Sequence, residues 1–352
     1  MVISLSHAGI GLLIVLYLGL RGRESKLVVL FSILPDFDVI PYSLFLILEN
    51  KLDHETRNIL FYLMGHREFM HSVLFFLITI LILHKLEKNS RLTIACSLAM
   101  FSHLYLDYAT SWKMRPFFPF VKESSTLGAF YFFDPLVTVI SLIPFFILLM
   151  EYQRKKGKWP ITEPIHEYVQ QNKRFIIVSI ICIFVIWCSM APLIKLLLIN
   201  HVSAKENNLV SYQNTAPISP GKFIGTYRFN ETHYKIFEIT YWNGICRSDF
   251  IPEKSFCNIT DNNSVYISRA ALLYDSGLPK EIDYPVYNIT ENSTTAIVTI
   301  SDARSVYVKY WAYYKVQYTF VFDKQNSNFA VFLKDLRKEK RPVALNRFIK
   351  SY

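Results

Sequence analysis

IIVSIICIFVIWCSMAPLI, residues 176–194, runs for 19 positions without a charged side chain. At about 1.5 Å per residue a helix of this length covers about 28 Å, close to the thickness of a bilayer's hydrocarbon core. This stretch reads as a transmembrane helix, and the rest of the chain is best read outward from it. Toward the N-terminus lie further apolar segments, at 8–20, 27–48, 69–84, 92–110 and 129–150, with the quoted helix inside a segment at 175–199. The first lacks a basic leader and a small-residue cleavage site, which reads as a retained helix rather than a cleaved signal. Hydrophobic residues make up 52% of the chain and charged ones only 19%, below the roughly 25% usual in soluble domains. The expected architecture is an α-helical polytopic membrane domain of about six spans, residues 1–200, followed by a linker at 201–219.

The formal charge of +10 divides evenly between the halves, 19 Lys+Arg against 14 Asp+Glu in each. A nucleic-acid partner would call for a concentrated basic face, so none is expected. In the first half the basic residues report orientation instead. Loops around Arg21, Lys85 and Arg154 are rich in Lys and Arg, and the alternate loops are poorer. The positive-inside rule then puts the rich loops in the cytoplasm and the N-terminus and residues 201–352 outside, in a multi-pass protein of the cell membrane.

Against this apolar background stand nine polar or ionisable residues: His7, Asp36, Asp38, His66, Arg67, His71, His103, Asp107 and Asp134. Ionisable groups at membrane depth are expensive and mark functional sites by default. In the six-span topology all nine fall in the outer leaflet, which suggests one site opening outward at headgroup depth. His103 and Asp107, in HLYLD, are four residues apart and share a helical face, as do Arg67 and His71 in HREFMHS. In PDFD, Pro35 either opens or interrupts a helix and leaves Asp36 and Asp38 at the break. Imidazoles and carboxylates are the ligands of zinc and similar divalent ions. Arg67 suits a forked contact to phosphate or carboxylate, or a salt bridge to one of the aspartates. Asp134 precedes Pro135, and that pair also reads as a simple helix cap.

At these residues the chain resembles the YdjM-like predicted membrane-bound metal-dependent hydrolases. The likeness lies in the order of the pieces: His7, PDFD, HREFMHS, HLYLDYATSWKMRPFFPF and YFFDPL, covering roughly residues 1–150. Glu68 and Met70 stand where the family commonly reads HRG-THS. The resemblance implies His7, Asp36, Asp38, His66, His71, His103 and Asp107 as metal ligands. It implies Asp38, Arg67 and Asp107 as catalytic residues, with Asp134 in support. The mixed His/Asp content is also similar, at motif level, to zinc-dependent phospholipases C. The expected cofactor is a divalent metal, zinc being the first candidate. The expected activity is hydrolysis, by a metal-activated water, of a phosphoester or a membrane lipid or lipid-linked substrate. The alternative is a non-catalytic ion-binding or transport protein using the same residues, which would be expected to show internal repeats.

Beyond residue 200 the pattern changes to period two. Stretches such as KFIGTYRF, HYKIFEITYW, SVYISRAALL, TAIVTISD, SVYVKYWAYYKVQYTFVF and NFAVFLKD read as strands. They imply a small antiparallel β-domain, a sandwich or half-barrel, within an extracytoplasmic region at 220–352 that ends in a basic tail. Cys96, Cys182 and Cys188 read as core thiols of the helical part, while Cys246 and Cys257 are candidates for a disulfide. The sequence does not specify the oligomeric state.

Overall fold

The computed structural model describes residues 4–156, 167–169, 171–207, 209–256, 263–308, 312–326, 328–335 and 339–348. It divides into two compact units, one of residues 1–41 and 65–197 and the other of residues 42–64 and 198–352. The segment 42–64, which the sequence alone groups with the helical part, thus belongs to the second unit.

The helical elements are α1 (Ser4–Leu18), α2 (Gly22–Ile33), α3 (Val39–Leu48), α4 (His54–Met64), α5 (Val73–Glu87), α6 (Ser90–Ala109), α7 (Pro135–Lys155) and α8 (Lys173–Lys205). Among the described residues three helical stretches are long and apolar enough to cross a membrane: Gly22–Lys51, Pro135–Gln153 and Lys173–Lys205. A fourth arises if the pair His54–His71 and Val73–Glu87, bent by 68°, counts as one broken span. Six spans are therefore not established. With 15 residues, α1 falls short of the roughly 20 that a bilayer requires. The 20 residues of α6 include Arg91, His103 and Asp107. The apolar surface is nonetheless outward: Ile47 is 71% exposed, Phe175 74% and Leu197 69%, as expected for side chains that meet lipid.

In the first unit two apolar clusters hold the helices. Ile10 and Leu13 of α1 meet Leu106, Val137, Ile140 and Ile177, while Val15, Val28, Leu83, Ala95 and Ala99 form the second. The buried stripe of α6 runs through Leu92, Ala95, Cys96, Ala99 and Met100, and then continues as His103 and Asp107. One helical face thus changes from packing surface to site within two turns. Small residues permit the close approach of α1. A Cβ on Gly9 would lie 2.0 Å from Ser141 O, and one on Gly11 would lie 2.5 Å from Ser32 Oγ.

The second unit contains two sheets. One has the order β1 (Thr215–Ser219), β2 (Lys222–Arg228), β3 (His233–Thr240), β4 (Gly244–Pro252), all antiparallel. The other runs β10 (Lys340–Pro342), β9 (Phe329–Lys334), β8 (Gln317–Asp323), β7 (Thr295–Asp302), β6 (Pro285–Glu291), β5 (Lys254–Phe256), antiparallel except for the β5–β6 pair. Between β5 and β6 the chain forms α9, Asn263–Ser276, which corrects the strand reading of SVYISRAALL. The buried Ile267, Ala270 and Tyr274 recur every three or four residues, and this helical stripe packs onto Val298, Ile300, Tyr318 and Phe320. The long stretch SVYVKYWAYYKVQYTFVF is likewise not one strand. Short 3₁₀ turns at Ala303–Val306 and Ala312–Lys315 precede β8. The region read as a linker is shorter, since α8 continues to Lys205 and β1 begins at Thr215. Cys96 and Cys188 are buried thiols and Cys182 is exposed. Cys246 is exposed on β4, and Cys257 lies outside the described residues.

Candidate metal centre

Four pieces of chain build the site. The first is the break between α2 and α3. Pro35 cannot donate to the helix ladder, and Leu34–Asp38 tightens into a 3₁₀ turn with Pro35 in its first positions. The turn delivers Asp36 and Asp38, and Asp38 is buried.

The second piece is the turn His66–Ser72. Arg67 has φ +65°, a left-handed conformation uncommon for a residue other than glycine. The surroundings hold it there: Arg67 N donates to Asp38 Oδ2 at 2.8 Å, and its guanidinium donates to Asp107 Oδ1 at 3.0 Å. The guanidinium carbon lies 5.3 Å from the ring centre of Trp112. Ser72 is a helix cap, its Oγ accepting from Phe75 N at 3.1 Å.

The third piece is the end of α6, with His103 and Asp107, and the fourth is His7 of α1. All three side chains are essentially fully buried. His7 stacks on His103 with ring centres 3.7 Å apart, and its Nε2 lies 3.5 Å from Asp107 Oδ1.

At the centre, one donor atom each from Asp36, His71, His103 and Asp107 lies within 4.8 Å of all the others. His71 Nε2 is 3.2 Å from Asp107 Oδ2, 3.4 Å from His103 Nε2 and 3.9 Å from Asp36 Oδ1. His103 Nε2 is 3.6 Å from Asp36 Oδ1 and 3.8 Å from Asp107 Oδ2. Four ligands at about 2.0–2.1 Å around a tetrahedral ion would stand about 3.3–3.4 Å apart. The observed separations are close to those edges.

The back side of each ring faces an oxygen. His103 Nδ1 lies 2.8 Å from Ser32 O, which makes Nδ1 the protonated nitrogen and frees Nε2 as a ligand. His71 Nδ1 lies 3.0 Å from Asp38 Oδ2, within ion-pair range although not aligned as a regular hydrogen bond. Among the described residues Asp36 Oδ2, Asp107 Oδ2 and both nitrogens of His7 are buried without a hydrogen-bond partner. Such atoms are costly unless an ion or solvent engages them. Asp36, Asp38 and Asp107 against Arg67 leave two negative charges when the histidines are neutral, the complement of a divalent cation. The residues present therefore fit a divalent metal ion.

The remaining sequence candidates occupy the surround. Asp38 is tied to His66, whose Nδ1 is 2.7 Å from Asp38 Oδ1, and His66 is partly exposed at the edge of the group. Asp134 lies outside the four-atom group. Its Oδ1 accepts from Val137 N at 2.9 Å and from Trp187 Nε1 at 3.2 Å, the work of a cap. One feature escaped the sequence reading: a buried ion pair between Glu68 and Arg115, with Arg115 Nε also donating to Lys122 O at 2.6 Å. Only the unusual acid beside Arg67 hinted at it.

A helical membrane unit with a buried His/Asp cluster at helix breaks defines a class of integral membrane proteins with a candidate metal centre. The chain belongs to the YdjM inner membrane protein family, which it matches over residues 1–195. No curated protein and no solved structure matches it.

Proposed function

We propose that the protein is a membrane-bound metal-dependent hydrolase. The observation that carries this reading is the convergence of Asp36, His71, His103 and Asp107 at separations suited to one tetrahedral ion. A divalent ion held by these four would supply a Lewis acid, and with its coordination expanded to a fifth position it would also supply an acidified bound water.

The chain's own residues supply the rest. Asp38 fixes the ring of His71 from behind, and Ser32 O does the same for His103. Arg67 keeps one guanidinium bond on Asp107 while its Nε and Nη1 are buried without a hydrogen-bond partner among the described residues. Those donors suit an anionic oxygen, which favours a phosphoester over a neutral amide. His66, with Nδ1 donating to Asp38, leaves Nε2 as an acceptor that can take a proton from the attacking water. The positive-inside pattern supports a site facing the outer leaflet at headgroup depth, six spans and an external C-terminal region. That depth suits a lipid-linked phosphoester.

Purified full-length protein, assayed with a generic phosphodiester and a phospholipid in detergent, tests the reading. Hydrolysis that a chelator abolishes and a zinc-class ion restores is the expected result. Metal binding with no turnover of either substrate would leave the ion-binding or transport alternative in its place. That alternative draws on the interrupted helix at Leu34–Asp38 and the 68° bend before Val73.

A further inference from the structure

The second unit contains a cavity of about 610 Å³, within the range of small-molecule sites. Its polar wall carries Arg57, Arg341 and Arg347, with Glu49 and Glu281 between them. Its apolar lining includes Phe45 and Phe61, whose ring centres are 5.9 Å apart. Phe45 is the buried residue of α3, while Leu44 and Ile47 on the same helix face outward.

Two of the arginines are buried in a manner that internal pairing does not exhaust. Arg57 is 1% exposed, donates to Glu49 Oε2 at 2.9 Å and to Leu278 O at 2.9 Å, and lies over the Phe45 ring. Arg347 is 8% exposed and donates to Tyr318 Oη at 2.7 Å and Pro279 O at 3.1 Å. In each, Nε is buried without a hydrogen-bond partner among the described residues, as is Oδ1 of Asn346 on the same wall. Arg341 is more than half exposed and pairs with Asp335 at 3.8 Å. Each guanidinium has one carboxylate within 4 Å, Glu49 for Arg57, Glu281 for Arg347 and Asp335 for Arg341, so the pull on an anion rests on the unbonded Nε donors of Arg57 and Arg347. Guanidinium donors facing a cavity are suited to phosphate oxygens.

The position of the cavity along the chain selects the rest of the ligand. Phe45, Leu46 and Glu49 lie at the polar end of the apolar stretch Gly22–Lys51, the level at which lipid headgroups meet a spanning helix. We propose that this cavity binds an anionic amphiphile of the membrane. Its phosphate head sits on Arg57, Arg341 and Arg347, its hydroxyl or amine donor faces Asn346 Oδ1, and its apolar body lies along Phe45 and Phe61. The site is separate from the metal-binding residues and does not depend on hydrolysis.

The test uses the full chain in nanodiscs, titrated with a fluorescent phosphatidylglycerol in a phosphatidylcholine background. Arg341→Glu and Leu46→Trp are the variants, because both side chains are partly exposed and neither buries an ion pair. Saturable binding that weakens at least tenfold in Arg341→Glu, and also falls in Leu46→Trp with the melting temperature unchanged, is expected. Inorganic phosphate should compete only at far higher concentration. Competition by phosphate as strong as by the lipid would assign the cavity to a free anion and overturn the amphiphile. Equal binding of phosphatidylcholine and phosphatidylglycerol, or wild-type binding in Arg341→Glu, would overturn the site itself.

Discussion

His71 offers Nε2 to the group formed with Asp36, His103 and Asp107, while its Nδ1 lies 3.0 Å from Oδ2 of Asp38. A carboxylate behind a ligating imidazole fixes the tautomer and raises the basicity of the nitrogen that faces the metal. Asp38 thus stands behind His71 and outside the four-donor group.

Asp38→Asn separates those two roles. The amide keeps the shape but loses the charge, so zinc-class affinity should fall about 10–100-fold without disappearing. Metal titration of the purified variant reads this directly. Complete loss of bound metal, equal to that of Asp107→Ala, would make Asp38 a ligand itself.

Gly11→Ala acts on the other ring. A Cβ there would meet Ser32 Oγ at 2.5 Å and Cβ at 2.8 Å, and Ser32 O is the acceptor for His103 Nδ1. Overpacking of this kind costs about 1–3 kcal/mol. Lower melting temperature and reduced metal retention should appear together. An unchanged melting temperature would mean that α1 and α2 separate easily and that Gly11 does not hold His103 in place.

Arg67→Lys retains the charge and loses the fork. The ammonium can keep one contact to Asp107 but cannot present two further donors. Metal content should stay near one ion per chain while turnover of a phosphodiester falls at least tenfold. Unimpaired turnover would remove Arg67 from substrate binding.

Asp134→Ala should cost only about 1 kcal/mol, the usual value of a helix cap. Its bonds are to Val137 N and Trp187 Nε1, neither of which touches the four-donor group. Metal content and activity should survive in this variant, measured beside its melting temperature.

Much of the site was legible because its signals are local. Pro35 announces a broken helix, and four-residue spacing places His103 and Asp107 on one face. Carbon-rich surroundings also make each His and Asp conspicuous. What could not be read was depth within the cluster. Asp36 and Asp38 differ by two residues, yet one contributes a donor atom and the other backs His71, a distinction set by the turn's three-dimensional path. The Glu68–Arg115 pair needed a contact 47 residues away in sequence. In the second unit the strands β2, β3, β7 and β9 follow from alternation. SVYISRAALL is misread as strand because Val265, Tyr266 and Ile267 favour β structure locally, whereas the burial of Ile267, Ala270 and Tyr274 against a sheet makes it a helix. The span count of six is not established, because among the described residues α1 is apolar but only 15 residues long.

Metal stoichiometry is the most direct test of the central claim. Full-length protein, purified without chelator and reloaded with zinc, is analysed by elemental mass spectrometry beside His103→Ala and Asp107→Ala. The four converging donors predict about one ion per chain in the wild type, in keeping with a single tetrahedral site. They predict its loss in both variants while these remain inserted and folded. A wild type that retains no zinc-class ion, or a His103→Ala protein that retains it fully, would contradict the metal centre.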